Sequence, residues 1–332
     1  MKKEMDKKVK VYSIILGMFI LTLLIGLFVI SIDPLHVSEI VNGSVVESMN
    51  PDFMFIESPD IEDAGGGAAM IFNLIFAFII AIVLILVLNK IKADFFLRGW
   101  FFIVATFALF LSLYAFQKFF FDFQNFWRII IPLGIALVFG IWKIFKRNML
   151  VHNLTELFIY PGIALIFVPL LNIYSLVVIL ILISAYDMWA VWHTGIMQKM
   201  ASYQIESVGV FGGFLVPYAS RKVKEKIKAL RLKYKDKKVI PANVIKKNKL
   251  NVNIAVLGGG DIVFSVISMG VVYRILGLIP SLLVLLGATS ALIYLFFESK
   301  KKKNESYPAM PFVTTGIFVS IILGILWKLA FG

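Results

Sequence analysis

The sequence predicts an all-α integral membrane protein of nine transmembrane helices, with the amino terminus cytoplasmic and the carboxyl terminus outside. Three observations predict it. Apolar residues make up 60% of the chain and charged residues 16%, against about 45–50% and about 25% in an ordinary soluble domain. Nine stretches approach the roughly 20 apolar residues that a bilayer span needs, with polar or charged breaks between them. With the amino terminus inside, 29 of the 33 Lys and Arg lie in cytoplasmic breaks or the adjoining span ends, as the positive-inside rule requires. Only Lys118, Arg128, Arg274 and Lys328 fall outside. A missed or extra span would put one block of basic residues on the wrong side.

The first span follows a lysine-rich start, Met1 to Lys10, and runs from Val11 to about Ile32. It is longer than the roughly 7–15-residue apolar region of a signal peptide and ends in Ser31, Ile32, Asp33 and Pro34 rather than at a small-residue cleavage site. An outer hydrophilic loop from Asp33 to Asp63 follows, with eight acidic residues and no Lys or Arg. The remaining spans read as Met70 to Leu88, Phe95 to Phe116, Phe126 to Phe145, Leu154 to Leu171, Ile173 to Trp192, Val252 to Tyr273, Ser281 to Phe297 and Pro311 to Leu329. The chain therefore divides into a six-span bundle (residues 1–192), a basic cytoplasmic loop (193–250) and a three-span bundle (251–332).

Composition also excludes function classes. A net charge of +13 suits nucleic acid only when the basic residues cluster on a soluble module, and here they lie in short loops between spans. Cysteine is absent, which excludes disulfides, thiolate metal sites and a cysteine nucleophile. No metal or cofactor is called for. Arg221 to Lys249 holds 13 Lys or Arg, a density that reads first as enforcing topology and, as the alternative, as attracting anionic lipid. Met197 to Phe214 reads equally as an interfacial segment that gates substrate or as a plain connector. His193 belongs to the membrane interface, and Asn42, Gly43, Ser44 is a glycosylation sequon too common to assign a compartment.

Two carboxylates stand out, because an aspartate at mid-helix depth costs about 2.5–3.5 kcal/mol on insertion scales. Asp94 and Glu156 sit at expected span ends and Asp122 in a break, where water is available. Asp187 and Asp261 lie inside spans six and seven. Counting helical rise, Asp187 is roughly 8 Å and Asp261 roughly 10 Å from the cytoplasmic face, so the two are level on antiparallel spans. Two carboxyl groups facing one another in a low dielectric cannot both ionise cheaply, so the pair holds one proton. Such a dyad activates water with its ionised member and polarises a carbonyl with its protonated member. Bare acids serve equally as interhelical hydrogen-bonding groups or as a relay in an ion channel or proton-coupled transporter. Transporters show interrupted spans in both halves, whereas glycine and proline interruptions here concentrate in the last third.

The flanking residues add weight. Gly258, Gly259 and Gly260 precede Asp261, giving G-x-G-D; Tyr186 precedes Asp187, giving Y-D; and Pro308, Ala309, Met310, Pro311 opens span nine. Together, in a nine-span chain, these resemble the presenilin and signal peptide peptidase family of intramembrane aspartyl proteases. Prepilin-type peptidases share the G-x-G-D aspartate but typically have fewer spans and lack the P-A-x-P element. The resemblance implies that Asp187 and Asp261 are the catalytic pair, that Tyr186 and Gly258 to Gly260 shape the site, and that Pro308 to Pro311 border it and seat substrate. Met310 stands where the family usually has leucine, an apolar replacement of similar volume. The resemblance further implies transmembrane-helix substrates, no cofactor and residence in the cell membrane for a prokaryotic homologue. Partner subunits are not required in principle, and a homo-oligomer is compatible with it. The basic residues match the presenilin orientation, from which type I substrates follow.

Overall fold

The computed structural model describes residues 2–41, 44–50, 53, 94–121, 126–146, 148–194, 211–218, 253–301 and 307–331, together with 72, 76 and 80. Eight long helices carry it: α1 (Lys2–Ile32), α2 (Asp94–Phe120), α3 (Trp127–Phe145), α4 (Met149–Phe167), α5 (Ile173–Trp189), α6 (Gly259–Leu276), α7 (Leu278–Lys301) and α8 (Met310–Phe331). Two short antiparallel pairs join them, β1 (His36–Val41) with β2 (Ser44–Met49) and β3 (Gly213–Tyr218) with β4 (Asn253–Gly258). All eight helices are long and apolar enough to cross a membrane. Of the second expected span, Met70 to Leu88, only Phe72, Phe76 and Ile80 are described, and these are helical and exposed. The basic segment from Arg221 to Lys249 and Asp122 lie outside the described residues.

The helices bury apolar seams on one another and turn large apolar side chains outward. Phe19, Leu23, Leu111, Leu176, Leu180, Ile262 and Met269 are almost fully enclosed, while Trp100, Ile103, Val138, Ile322 and Leu326 are exposed. Water would penalise that outer surface and lipid does not, so the chain is an integral, multi-pass membrane protein. Helix α1 runs through the middle of the bundle and packs on α2, α4, α6, α7 and strand β3. Helices α7 and α8 approach so closely that a methyl group on Gly287 or Gly316 would strike the backbone of the other helix, the close packing that small residues permit between spans. That pairing fixes α8, whose amino-terminal end reaches the site described below.

Two expectations need correction. Asn253–Gly258, read within the start of span seven, form strand β4 instead. The segment Asn253-Ile-Ala-Val-Leu alternates through β-branched residues and ends in the glycine triplet, a sequence that suits a pleated strand better than a helix. It pairs with β3 in the register Gly213↔Gly258 to Tyr218↔Asn253. The connection between spans six and seven thus contributes strand β3, which begins at the end of the segment Met197 to Phe214 that reads equally as interfacial or as connector. The second correction concerns α4, which begins at Met149 rather than Leu154. Asn148 caps it, its side chain accepting the Leu150 N–H at 2.9 Å, so Glu156 lies two turns inside the helix and is buried rather than solvated at its end.

Candidate active site

Asp187 occupies the last turn of α5. Asn172 starts this helix with a reciprocal capping box, its side chain accepting the Ser175 N–H while Ser175 accepts the Asn172 N–H. The helix gives way at Ala190 to a π turn, Ala190–Thr194, in which the Ala190 N–H is shared between the Tyr186 and Asp187 carbonyls. Asp261 occupies the first turn of α6, which starts at Gly259. The acids do not meet through the helical rise counted from Ile254, because that stretch is strand. They come within electrostatic reach of one another where α5 ends and α6 begins, two helices that pack on each other. Both are buried, each 6% exposed, and the Asp187 charge bears on Asp261.

Backbone groups flank each carboxylate. Asp187 accepts the Met310 N–H at 3.1 Å, with the Ala309 N–H beside it. These belong to the start of α8, where the first-turn N–H groups lack intrahelical partners and the helix dipole favours an anion. Pro311 has no N–H, and the amide before it turns to Asp187, which is a physical reason for proline in this segment. One turn back on α5, the Ser184 hydroxyl donates to Thr314 Oγ1 at 2.8 Å and ties the same two helices together. Asp261 folds back against Gly258, the amino-terminal cap of its helix, where a methyl group would lie 3.0 Å from Asp261 Oδ2.

The sequence-predicted residues gather here unequally. Ala309 and Met310 touch Asp187 through their backbone. Pro308 and Pro311, with Met188, Trp192, Tyr294 and Phe312, line an apolar cleft of about 720 Å³ between α5, α7 and α8. Tyr186 is half-buried with its ring 6.4 Å from that of Trp189. The glycines differ among themselves. A methyl group on Gly259 would lie 2.8 Å from the Tyr160 hydroxyl and 3.1 Å from the Gly212 backbone, whereas one on Gly260 meets nothing within 4 Å. The tightest position is therefore the middle glycine, the variable place of G-x-G-D, ahead of Gly258, whose methyl group would lie 3.0 Å from Asp261 Oδ2. Gly259→Ala is expected to lower stability by about 1–3 kcal/mol through overpacking. Gly260→Ala is expected to leave the thermal unfolding midpoint unchanged, which parallel melts in detergent would check.

Sequence reasoning missed a second polar cluster beside the site. Lys143, in the last turn of α3, forms an ion pair with Glu156 and donates to His152 Nδ1 at 3.2 Å. The sequence places Lys143 among the cytoplasmic charges at a span end, whereas the structure buries it. His152, Glu156 and Tyr160 stand four residues apart, one face of α4, and that spacing was the available signal. His193 lies in the π turn, and its side chain is outside the described residues.

The arrangement of spans is that of a presenilin-like membrane protein. Two crystal structures of a presenilin family intramembrane aspartate protease, in space groups C222 and P2, are similar to this chain along almost its whole length. The first superposes with a TM-score of 0.56 at 13% identity, covering 95% of this chain and 98% of that one. The second gives 0.54 at 16% identity, covering 93% and 96%. The chain thus has a presenilin-like fold. No protein-family model and no curated protein matches the sequence.

Proposed function

We propose that this protein is an intramembrane aspartyl protease that hydrolyses peptide bonds within transmembrane helices, with Asp187 and Asp261 as its catalytic pair. The observation that carries the reading is two buried carboxyl groups brought together where α5 ends and α6 begins, in a presenilin-like fold. A buried pair of this kind holds one proton between its members. The ionised carboxyl takes a proton from water, and the water oxygen attacks the scissile carbonyl carbon. The protonated carboxyl donates to the carbonyl oxygen as its charge develops. Collapse of the resulting gem-diol breaks the C–N bond, and the proton passes to the departing nitrogen, leaving a new carboxyl and a new amine.

A transmembrane helix hides its carbonyls in internal hydrogen bonds and must unwind before water can reach them. Unwound backbone at membrane depth needs protein or a water-filled cavity to receive it. Two features beside the dyad support that step. The apolar cleft bordered by Pro308 and Pro311 can receive apolar side chains. Strand β4 pairs only with β3 among the described residues, so its second edge offers backbone groups directly before Asp261.

Nine spans with a cytoplasmic amino terminus complete the proposal and set substrate polarity. Purified protein in liposomes is expected to cleave a type I transmembrane peptide, whose carboxyl terminus lies on the side of the enzyme's amino terminus. Cleavage confined to a reversed, type II peptide would reject that polarity. Ion flux in the same liposomes without cleavage of either peptide would favour the channel or transporter reading.

A further inference from the structure

We propose that Lys143, Glu156, His152 and Asn153 act as a positioning cluster that sets the placement of Asp261 through strand β3. The proposal rests on the reading of Asp187 and Asp261 as a proteolytic pair. Its foundation is a directed run of hydrogen bonds. The Lys143 ammonium can only donate, so His152 Nδ1 accepts from it at 3.2 Å and the ring proton sits on Nε2. Nε2–H then donates to the Gly213 carbonyl at 2.8 Å. The adjacent Asn153 uses its whole amide on the same strand, donating to the Leu215 carbonyl at 2.9 Å and accepting the Leu215 N–H at 3.0 Å. It takes the place of a neighbouring strand along the outer edge of β3.

From β3 the placement passes to the catalytic turn. Gly213 stands opposite Gly258 in the sheet, and the Gly259 N–H donates to the Gly212 carbonyl at 3.1 Å. The Asp261 carboxylate lies directly against Gly258, where a methyl group would come within 3.0 Å of its Oδ2. A two-stranded ribbon is at best marginally stable by itself, so its position must come from what holds it. Phe214 and Val216 seat β3 in the apolar core, and the polar contacts, which are directional, fix its register and reach back into the packed helices α3 and α4.

Stability alone does not account for the charges. Removing an ion pair from water costs several kcal/mol per ion, and an apolar pair of similar volume packs about as well. What an apolar pair cannot do is fix the tautomer and aim of His152. Such aim matters, since a misplacement of about 1 Å far from the reacting atoms can cost about 100-fold in rate.

The test compares His152→Leu with His152→Gln, whose side-chain amide can donate to Gly213 from nearly the same place. Steady-state cleavage of a transmembrane peptide is read alongside hydrogen exchange of residues 253–261. His152→Leu is expected to lower kcat by about 10- to 100-fold with little change in KM, and to speed exchange at Gly259. His152→Gln is expected to restore most of both. Should His152→Leu fail to fold, Asn153→Ala, on the strand edge, is expected to show the same faster exchange. Wild-type kcat and protection in His152→Leu, or a His152→Gln variant as impaired as His152→Leu, would overturn the proposal. Exchange needs no cleavage, so a wild-type protein that cleaves nothing rejects the proteolytic reading, and the exchange comparison still decides whether the cluster places the turn.

Discussion

Asp187→Asn and Asp261→Asn are each expected to lower peptide cleavage by at least about 10⁴-fold, to background. Residues that act as one unit are not additive, so the double variant should be no worse than either single one. Asparagine keeps the size of the side chain and most of its hydrogen bonding but cannot hold the shared proton. At Asp187 the retained carbonyl oxygen can still accept the Met310 N–H, so the contact between α5 and α8 survives. Replacing a buried carboxyl by a neutral amide also removes a desolvation penalty. Both variants should therefore melt at or above the wild-type temperature, and loss of activity with retained stability would separate chemistry from folding.

Glu156→Leu is expected to destabilise the fold by about 3–5 kcal/mol, the typical consequence of leaving one member of a buried ion pair alone. The side chains of Lys143 and Glu156 are only 4% and 2% exposed, so neither can reach water when its partner is lost. The double variant Lys143→Met with Glu156→Leu removes both charges and is expected to return within about 1 kcal/mol of wild type. Thermal or denaturant unfolding in detergent of the two single variants and the double variant closes the cycle. Equal losses in Glu156→Leu and in the double variant would show that packing volume, not charge, governs the site.

The membrane class, the helical architecture and the presence of two acids among apolar residues were legible in the sequence because each leaves a one-dimensional trace. A run of apolar residues as long as a bilayer is thick cannot easily be anything else, and an aspartate inside one is conspicuous. The same reading failed at Asn253–Gly258, where an apolar run of strand length joined directly to a helix looks like one continuous span. Periodicity cannot separate the two there, and the pairing partner, Gly213–Tyr218, lies more than thirty residues away in the chain. It failed again at Lys143 and Glu156. Each looked like a terminal charge, and only the cap at Asn148 and the packing of α3 on α4 place them together. The role of the prolines was half legible. A proline pair at a helix start reads as punctuation, and the destination of the intervening Met310 N–H on Asp187 is a tertiary fact.

The most direct test of the central claim is mass spectrometry of the products formed from a transmembrane peptide in ¹⁸O-water by wild type, Asp187→Asn and Asp261→Asn. The dyad predicts cleavage inside the apolar segment by wild type alone, with one ¹⁸O atom from solvent in the new carboxyl terminus. Cleavage by either asparagine variant, or a wild-type product without solvent oxygen, would contradict it.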